Sequence, residues 1–527
     1  ISQEKDLWGK EFAFCVNGVK IFAMGGNYIP EDCIYSRITP EVQKYLLESC
    51  KRANFNCVRV WGGGYYPDEY FYDYCDENGI IVWQDFMFAC SAYLLTEEFE
   101  ETVRGEVRDN VIRLRNHPSL GLWCGNNEIE SAWEYWGLPK DEEAKRDYLI
   151  IFEDIIPQVL KAYDPCENTF YWPSSPSSGG GFKDASSNHA GDMHYWDVWH
   201  NFKPIEAFRE FYYRFCSEYG FESLPDIKTC RAFADETKGD FDLCSPVMAA
   251  HQKCVQGNEK IMYYLAQMVR YPYDFKQLIY SSQLVQADCI RSNVEHMRRA
   301  RGRCMGSAYW QVNDSNPVIS WSSIDYFGRW KGLHYYAKRF YAPCLISCDD
   351  THRKKPVLNI SNERMTAFEG IVRWKLRNNK AEILQSGEKS VSVPALTAQN
   401  VLTIDLSDEL KNRTDPREKY LEYSIMENGR VLSFGTTLFV RPKEFTFLEP
   451  AIIYGISESE DKFALTFCAE NYAKSVCLSL KTADCVFSDN WFDIHGKEPV
   501  TIMIDKASLS RKMTAQELSE ELEIMHN

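Results

Sequence analysis

The chain has 527 residues, 45% of them hydrophobic and 26% charged, enough for several buried cores. Its net charge of −17 opposes a phosphate backbone or an anionic membrane surface, so neither nucleic acid nor membrane is an expected partner. No apolar run reaches the roughly 18 residues needed to span a bilayer, and the 19 cysteines show no CxxC pair or metal-ligand spacing, which favours free buried thiols such as Cys57, Cys124 and Cys304 and a cytoplasmic setting.

Residues 1–18 read as the tail of a preceding β domain, with a last strand around Phe12–Val16. From there to about residue 343, short apolar strands alternate with amphipathic helices, the pattern of βα units and a parallel sheet. Candidate strands are 19–28, 57–62, 80–86, 120–126, 169–174, 190–196, 215–220 and 304–311, the eight that a closed TIM (β/α)8 barrel requires. Thr39 and Pro40 suit the start of one helix. A second begins near Thr96, carries Phe99, Val103, Val107, Val111 and Leu114 on one stripe, and stops at His117-Pro118. Residues 258–270 and 276–300 also read as helical. The stretch PSSPSSGGGFKDASS (173–187) follows strand five and reads as a loop over the barrel mouth.

After residue 343 the helical stripes give way to alternating segments such as 366–376, 400–406, 419–426, 430–440 and 463–470. These predict two small all-β sandwiches, immunoglobulin-like, over 344–444 and 445–527, with 515–525 locally helical or frayed. The Asn-x-Ser/Thr triplets at Asn313, Asn359 and Asn412 carry little weight in so long a chain. The run Gly62-Gly63-Gly64 lacks the Gly-Lys-Ser/Thr of a phosphate cradle, and there is no GxGxxG or HExxH.

Barrel chemistry sits at the C-terminal ends of strands. Two apolar strands close on a carboxylate there: LGLWCGNNE (120–128), ending at Glu128, and FCSEYGF (215–221), carrying Glu218. Two carboxyls facing each other across a barrel mouth suit glycoside hydrolysis, one protonated to release the leaving oxygen and one ionised to attack the anomeric carbon. Spacing alone leaves Glu130, Glu134 and Glu222 as alternatives.

Seven segments resemble the barrel of the β-mannosidases in glycoside hydrolase family 2. They are RVWGGG (59–64), VWQDFMFAC (82–90), NHPS (116–119), WCGNNE (123–128), SEYG (217–220), WQVND (310–314) and SWSSID (320–325), in the family's order over roughly residues 15–340. The resemblance implies a retaining exo-β-mannosidase acting on terminal β-mannosyl residues of an oligosaccharide or glycoconjugate, with no metal or cofactor. It makes Glu128 the acid/base and Glu218 the nucleophile, with the carboxyls about 5–5.5 Å apart. Asn127 would bond the sugar 2-hydroxyl, and Arg59 would keep the nucleophile ionised. Trp61, Trp136 and Trp310 would wall the mannose pocket and Asp85 would bind hydroxyls. Of His194, Tyr195 and Trp196 at the end of strand six, related barrels place a tyrosine near the nucleophile, and the sequence leaves open which faces inward. Another family 2 β-glycosidase (a β-glucosaminidase, an endo-β-mannosidase or a broad β-glycosidase) and a non-catalytic carbohydrate-binding barrel are the alternatives. The family's two N-terminal domains are expected to be missing from this chain.

Overall fold

Eight parallel strands form one sheet in the computed structural model, which describes residues 1–137, 140–166 and 169–527. They are β1 (Ala23–Tyr28), β2 (Cys57–Val60), β3 (Ile81–Asp85), β4 (Leu120–Cys124), β5 (Tyr171–Trp172), β6 (Met193–His194), β7 (Cys216–Glu218) and β8 (Gly306–Tyr309). All eight fall inside the segments read from the sequence. The ladder runs β6-β7-β8-β1-β2-β3-β4-β5, the cyclic order of a TIM-like barrel, with β8 returning to pair with β1. Between the two-residue strands β5 and β6, the Asp192 carboxyl joins the edges. Its Oδ1 accepts from Trp172 Nε1 at 2.7 Å and Ser177 N at 3.0 Å; its Oδ2 accepts from Ser175 Oγ at 2.6 Å and Ser217 Oγ at 2.5 Å.

The helices between strands start and stop as their sequences dictate. Pro40–Arg52 begins with proline at its first position, although the Thr39 side chain makes no capping bond. In Glu97–Leu114 the Thr96 side chain accepts from Phe99 N, and Val103, Val107, Val111 and Leu114 are the buried stripe. The helices Gly257–Met268 and Phe275–Arg299 match their predicted spans within two residues.

Within the segment expected as the tail of a preceding β domain, Phe14–Val16 pairs with Val19–Ile21 in a hairpin leading into β1. Phe12 and Phe14 are buried against Ala23 and Cys57, the first residues of β1 and β2, and against Trp83, Trp172 and Phe215. The barrel floor is thus filled by the segment that precedes the barrel, because short strands leave an apolar cavity that a ring from outside the sheet can occupy.

Ile1–Phe221 and Ser292–Asn316 form one compact unit, holding all eight barrel strands; Glu222–Arg291 and Pro317–Asn527 form the other. Within the second unit, Lys331 Nζ donates to the carbonyls of Ser223 and Ser320, and Tyr280 stacks on Trp491 at 5.0 Å. Its first sandwich packs a three-stranded sheet (Cys344–Asp349, Val357–Asn362, Thr397–Thr403) and a four-stranded one around Ile346, Leu358, Phe368, Val372 and Leu421. Its second is built from two three-stranded sheets. The tail is more ordered than its sequence conveys. After the helix Ala515–Glu521, closed by a Thr514–Glu517 capping box, Leu522–Met525 pairs with the strand Tyr472–Leu480. None of the 19 cysteines forms a disulfide. Among the described residues no helix is long and apolar enough to cross a membrane.

Phe12 lies within 6.2 Å, ring to ring, of Trp83, Phe170, Trp172 and Phe215 and is fully buried. Phe12→Ala is expected to destabilise the protein by about 3–5 kcal/mol through the cavity it leaves. The change is read from the denaturation midpoint; an unshifted midpoint would show that the floor does not depend on this ring.

Candidate active site

The site is built around Arg59, near the end of β2 and 1% exposed. A buried guanidinium needs acceptors for all five N–H groups. Nη1 donates to Asn27 Oδ1 and to Glu218 Oε2, each at 2.9 Å. Nη2 donates to Asp85 Oδ2 at 2.8 Å and Asn127 Oδ1 at 2.7 Å, while Nε reaches Asp85 Oδ1 at 3.4 Å. One side chain thus binds the ends of β1, β3, β4 and β7 together. Asn27 extends the network across the barrel, its Nδ2 donating to the carbonyls of Ser217, Ala308 and Tyr309 at 3.0–3.2 Å. Asp85 also accepts from Trp83 Nε1 at 2.9 Å and Gly62 N at 3.0 Å. Burial pushes its carboxyl up, against the pull of Arg59 and these donors.

Glu128 leaves β4 in a left-handed conformation, φ 63° and ψ 6°, at the N-cap of the helix Ile129–Tyr135. That turn is held by Glu128 N donating to Ser175 O at 2.8 Å and Ala132 N donating to Glu128 O at 2.8 Å. It is a costly backbone state for a residue with a Cβ, sustained by its surroundings. Glu128 Oε1 lies 2.8 Å from His194 Nδ1, and its Oε2 lies 3.7 Å from Cys90 Sγ. His194 Nδ1 is also 3.6 Å from Glu218 Oε2. Oxygens of Glu128 and Glu218 and the His194 nitrogen all lie within 4.8 Å of one another.

Burial raises the Glu128 and Glu218 carboxyls to about 7. Arg59 bonds Glu218 directly and pulls its carboxyl down, while the charge of Glu128 pushes it up. Burial lowers His194 to about 4, which leaves its ring neutral near pH 7. The Glu128–His194–Glu218 group has the spacing to hold a metal ion, as does Asp73–Asp76–His117 on the surface.

The alternative carboxylates have other duties. Glu130 Oε1 accepts from Phe182 N at 2.6 Å, and Glu134 accepts from Asp184 N and Ala185 N at 3.1 and 2.8 Å. Both therefore clamp the loop 173–187, and the rise of Glu130 to about 7 is an effect of burial. Glu222 accepts from Gln252 Nε2 at 2.9 Å. The glycine run serves packing, since a Cβ on Gly63 would lie 2.0 Å from the Trp61 ring.

Residues 355–444 match the family model described as a mannosidase Ig/CBM-like domain, and residues 447–527 match one described as an Ig-fold domain. β-Mannosidase B of Aspergillus fumigatus is 33% identical over 94% of this chain and 61% of that protein. β-Mannosidase of Capra hircus is 36% identical over 64% of this chain and 40% of that protein. The crystal structure of β-D-mannosidase from Dictyoglomus thermophilum superposes with a TM-score of 0.90 at 30% identity, covering 99% of this chain and 62% of that one. Over nearly its whole length the chain is thus similar to β-mannosidases. It spans 61% of the length of the Aspergillus relatives first matched. The exo-chitosanase of Amycolatopsis orientalis shares the fold, at a TM-score of 0.72 and 15% identity.

Among the residues that the resemblance to the β-mannosidases nominated, Glu128, Glu218, Arg59, Asn127 and Asp85 converge in one network. Trp61 and Trp310 meet edge to face beside it, at 4.9 Å. Trp136 lies at the C-terminal end of the helix Ile129–Tyr135 and is 48% exposed. The Tyr195 ring is packed against Phe208, Phe211 and Tyr213 at 5.1–5.7 Å. Trp196 packs against His200 with the rings tilted, centroids 4.9 Å apart. Of the three candidates on β6, His194 is the one between the carboxyls. Asn27 and Cys90 were missed; the only sequence signal for either is its place just past or at the end of an apolar strand.

Arg59→Ala would leave Asp85 and Glu218 buried without their cation. It is expected to cost about 3–5 kcal/mol of stability, measured by chemical denaturation at neutral pH, with a smaller loss in acid, where both carboxyls are protonated. A loss independent of pH would mean that packing, rather than charge, is what Arg59 supplies.

Proposed function

We propose that the protein is a retaining exo-β-D-mannosidase that removes terminal non-reducing β-mannosyl residues by double displacement. The observation that carries this reading is the pair Glu128 and Glu218, with oxygens within 4.8 Å of each other and only Glu218 bonded to Arg59. So short a gap suits direct attack on a sugar carbon and leaves no room for the water of an inverting enzyme. The unequal environments suit unequal roles. Glu218, ionised beside Arg59, attacks the anomeric carbon; Glu128, protonated by virtue of its burial, delivers its proton to the leaving oxygen. The glycosyl–Glu218 ester is then hydrolysed by water that Glu128 deprotonates, and the β configuration returns. Asn127, whose Oδ1 is committed to Arg59, donates from Nδ2 to Cys90 Sγ at 3.3 Å, which leaves its second N–H for the 2-hydroxyl. Trp61 and Trp310 supply apolar faces for the sugar C–H groups. The names of the relatives support the choice of mannose.

A panel of nitrophenyl β-glycosides tests the substrate, with mannoside expected to be turned over best; a preference for glucoside or glucosaminide would move the protein to another family 2 specificity. Glu218→Ala is expected to lower kcat by roughly 10⁴-fold or more on every substrate. Glu128→Ala should cost about 10²–10⁴-fold on a poor leaving group and far less on dinitrophenyl mannoside. Equal losses on both would remove Glu128 from the acid role. The pair titrates as a unit. kcat/KM should fall above about pH 7 as Glu128 loses its proton, and fall again in acid as Glu218 gains one. A profile that keeps rising through pH 8 would contradict this assignment.

A further inference from the structure

The hydrogen bonds behind His194 specify where its proton sits. Ser175 Oγ lies 2.6 Å from Asp192 Oδ2 and 3.0 Å from His194 Nε2, and Ser175 and Asp192 are fully buried. Four donors converge on the Asp192 carboxyl, from Trp172, Ser177, Ser175 and Ser217, which suits its ionised, acceptor-only form. Ser175 has a single hydroxyl proton. If that proton went to His194, two oxygens 2.6 Å apart would face each other with none between them. The proton therefore goes to Asp192, and Ser175 Oγ must accept from His194 Nε2–H. Nδ1 of the neutral ring is then bare. Glu128 Oε1, 2.8 Å away, can make a hydrogen bond to it only by donating, that is, as the carboxylic acid.

We propose that Asp192, Ser175 and His194 form a hydrogen-bond relay that fixes His194 as its Nε2–H tautomer and thereby holds the proton on Glu128. The relay deepens the glycosidase reading given above and rests on it for its role in turnover, with His194 and Ser175 as positioning residues. Once Glu128 has protonated the leaving oxygen, its carboxylate faces a bare nitrogen across 2.8 Å. That contact is repulsive, and it makes Glu128 a stronger base toward the water that arrives next. The charged groups around the ring fit this assignment. Glu218 lies 3.6 Å from Nδ1 but is bonded by Arg59, the charge of Asp85 is spent on the same guanidinium, and Asp192 acts through Ser175. Cys90 touches only the far oxygen of Glu128. Burial keeps the ring neutral down to about pH 4.

Two measurements test the relay. The first is a two-bond ¹H–¹⁵N spectrum of the whole protein labelled with ¹⁵N-histidine, with His194 assigned by its disappearance in His194→Gln. A neutral Nε2–H ring at pH 7 is expected; an Nδ1–H ring or an imidazolium overturns the proposal, whether or not the protein turns over any glycoside. The second is the pH profile of kcat/KM. Ser175→Ala frees the tautomer, so Nδ1–H can donate to the Glu128 carboxylate and stabilise it. The upper limb for a poor leaving group should then move down by about one pH unit, with the lower limb in place and dinitrophenyl mannoside little affected. Ser175→Thr, which keeps the hydroxyl, should hold the wild-type limb. A loss in Ser175→Ala that is equal at all pH values and for both leaving groups would reduce Ser175 to a structural role and overturn the proposal. Absence of hydrolysis in the wild-type protein would instead sink the glycosidase reading, with the spectrum still deciding the tautomer.

Discussion

The rest of the structure depends on keeping one positive charge out of water. A guanidinium inside a barrel is tolerable only if every N–H finds an oxygen, and Arg59 finds them on Asn27, Asp85, Asn127 and Glu218. That requirement is geometric as well as electrostatic. The planar fork fixes the angles at which four strand ends approach one another. It also makes the two glutamates at the mouth unequal: Glu218 shares a hydrogen bond with the cation, whereas Glu128 meets a neutral imidazole.

Much of the barrel was legible because its strands are short apolar runs that end abruptly in polar residues. Glu128 and Glu218 could be singled out for the same reason, the first lying just past β4 and the second at the last position of β7. The ambiguity at His194-Tyr195-Trp196 had a physical source. β6 has only two ladder residues, and its register with β7 shifts between Met193 and His194, so alternation along the strand could not say which side chain points inward. Glu130 and Glu134 could be separated from Glu128 only by seeing which backbone amides they hold, and those lie about 50 residues further on in the loop 173–187. The strand Leu522–Met525 was illegible because four residues acquire their conformation from a distant partner.

The loop 173–187 shows how second-rank carboxylates support the first. Glycine and serine give it little intrinsic preference, yet Glu153, Glu130 and Glu134 take its amides in turn. Ser175 at its base then stands in register with Asn127 and supplies the carbonyl that fixes the backbone of Glu128. Flexible composition and a defined position coexist here because charge-assisted bonds from three carboxylates, Glu130 among them buried, hold the backbone amides.

The aromatic rings at the opposite end of the barrel carry a consequence for how such a chain can diverge. Phe12, Trp83, Trp172 and Phe215 come from four separated stretches yet share one closed volume. In an interior packed to crystal density, enlarging any one of them demands that another shrink. The base of the barrel is therefore bound to drift as a coordinated set, in which single exchanges are penalised and paired ones tolerated. The rim is under no such volume rule, so new specificities can be tried there without renegotiating the foundation.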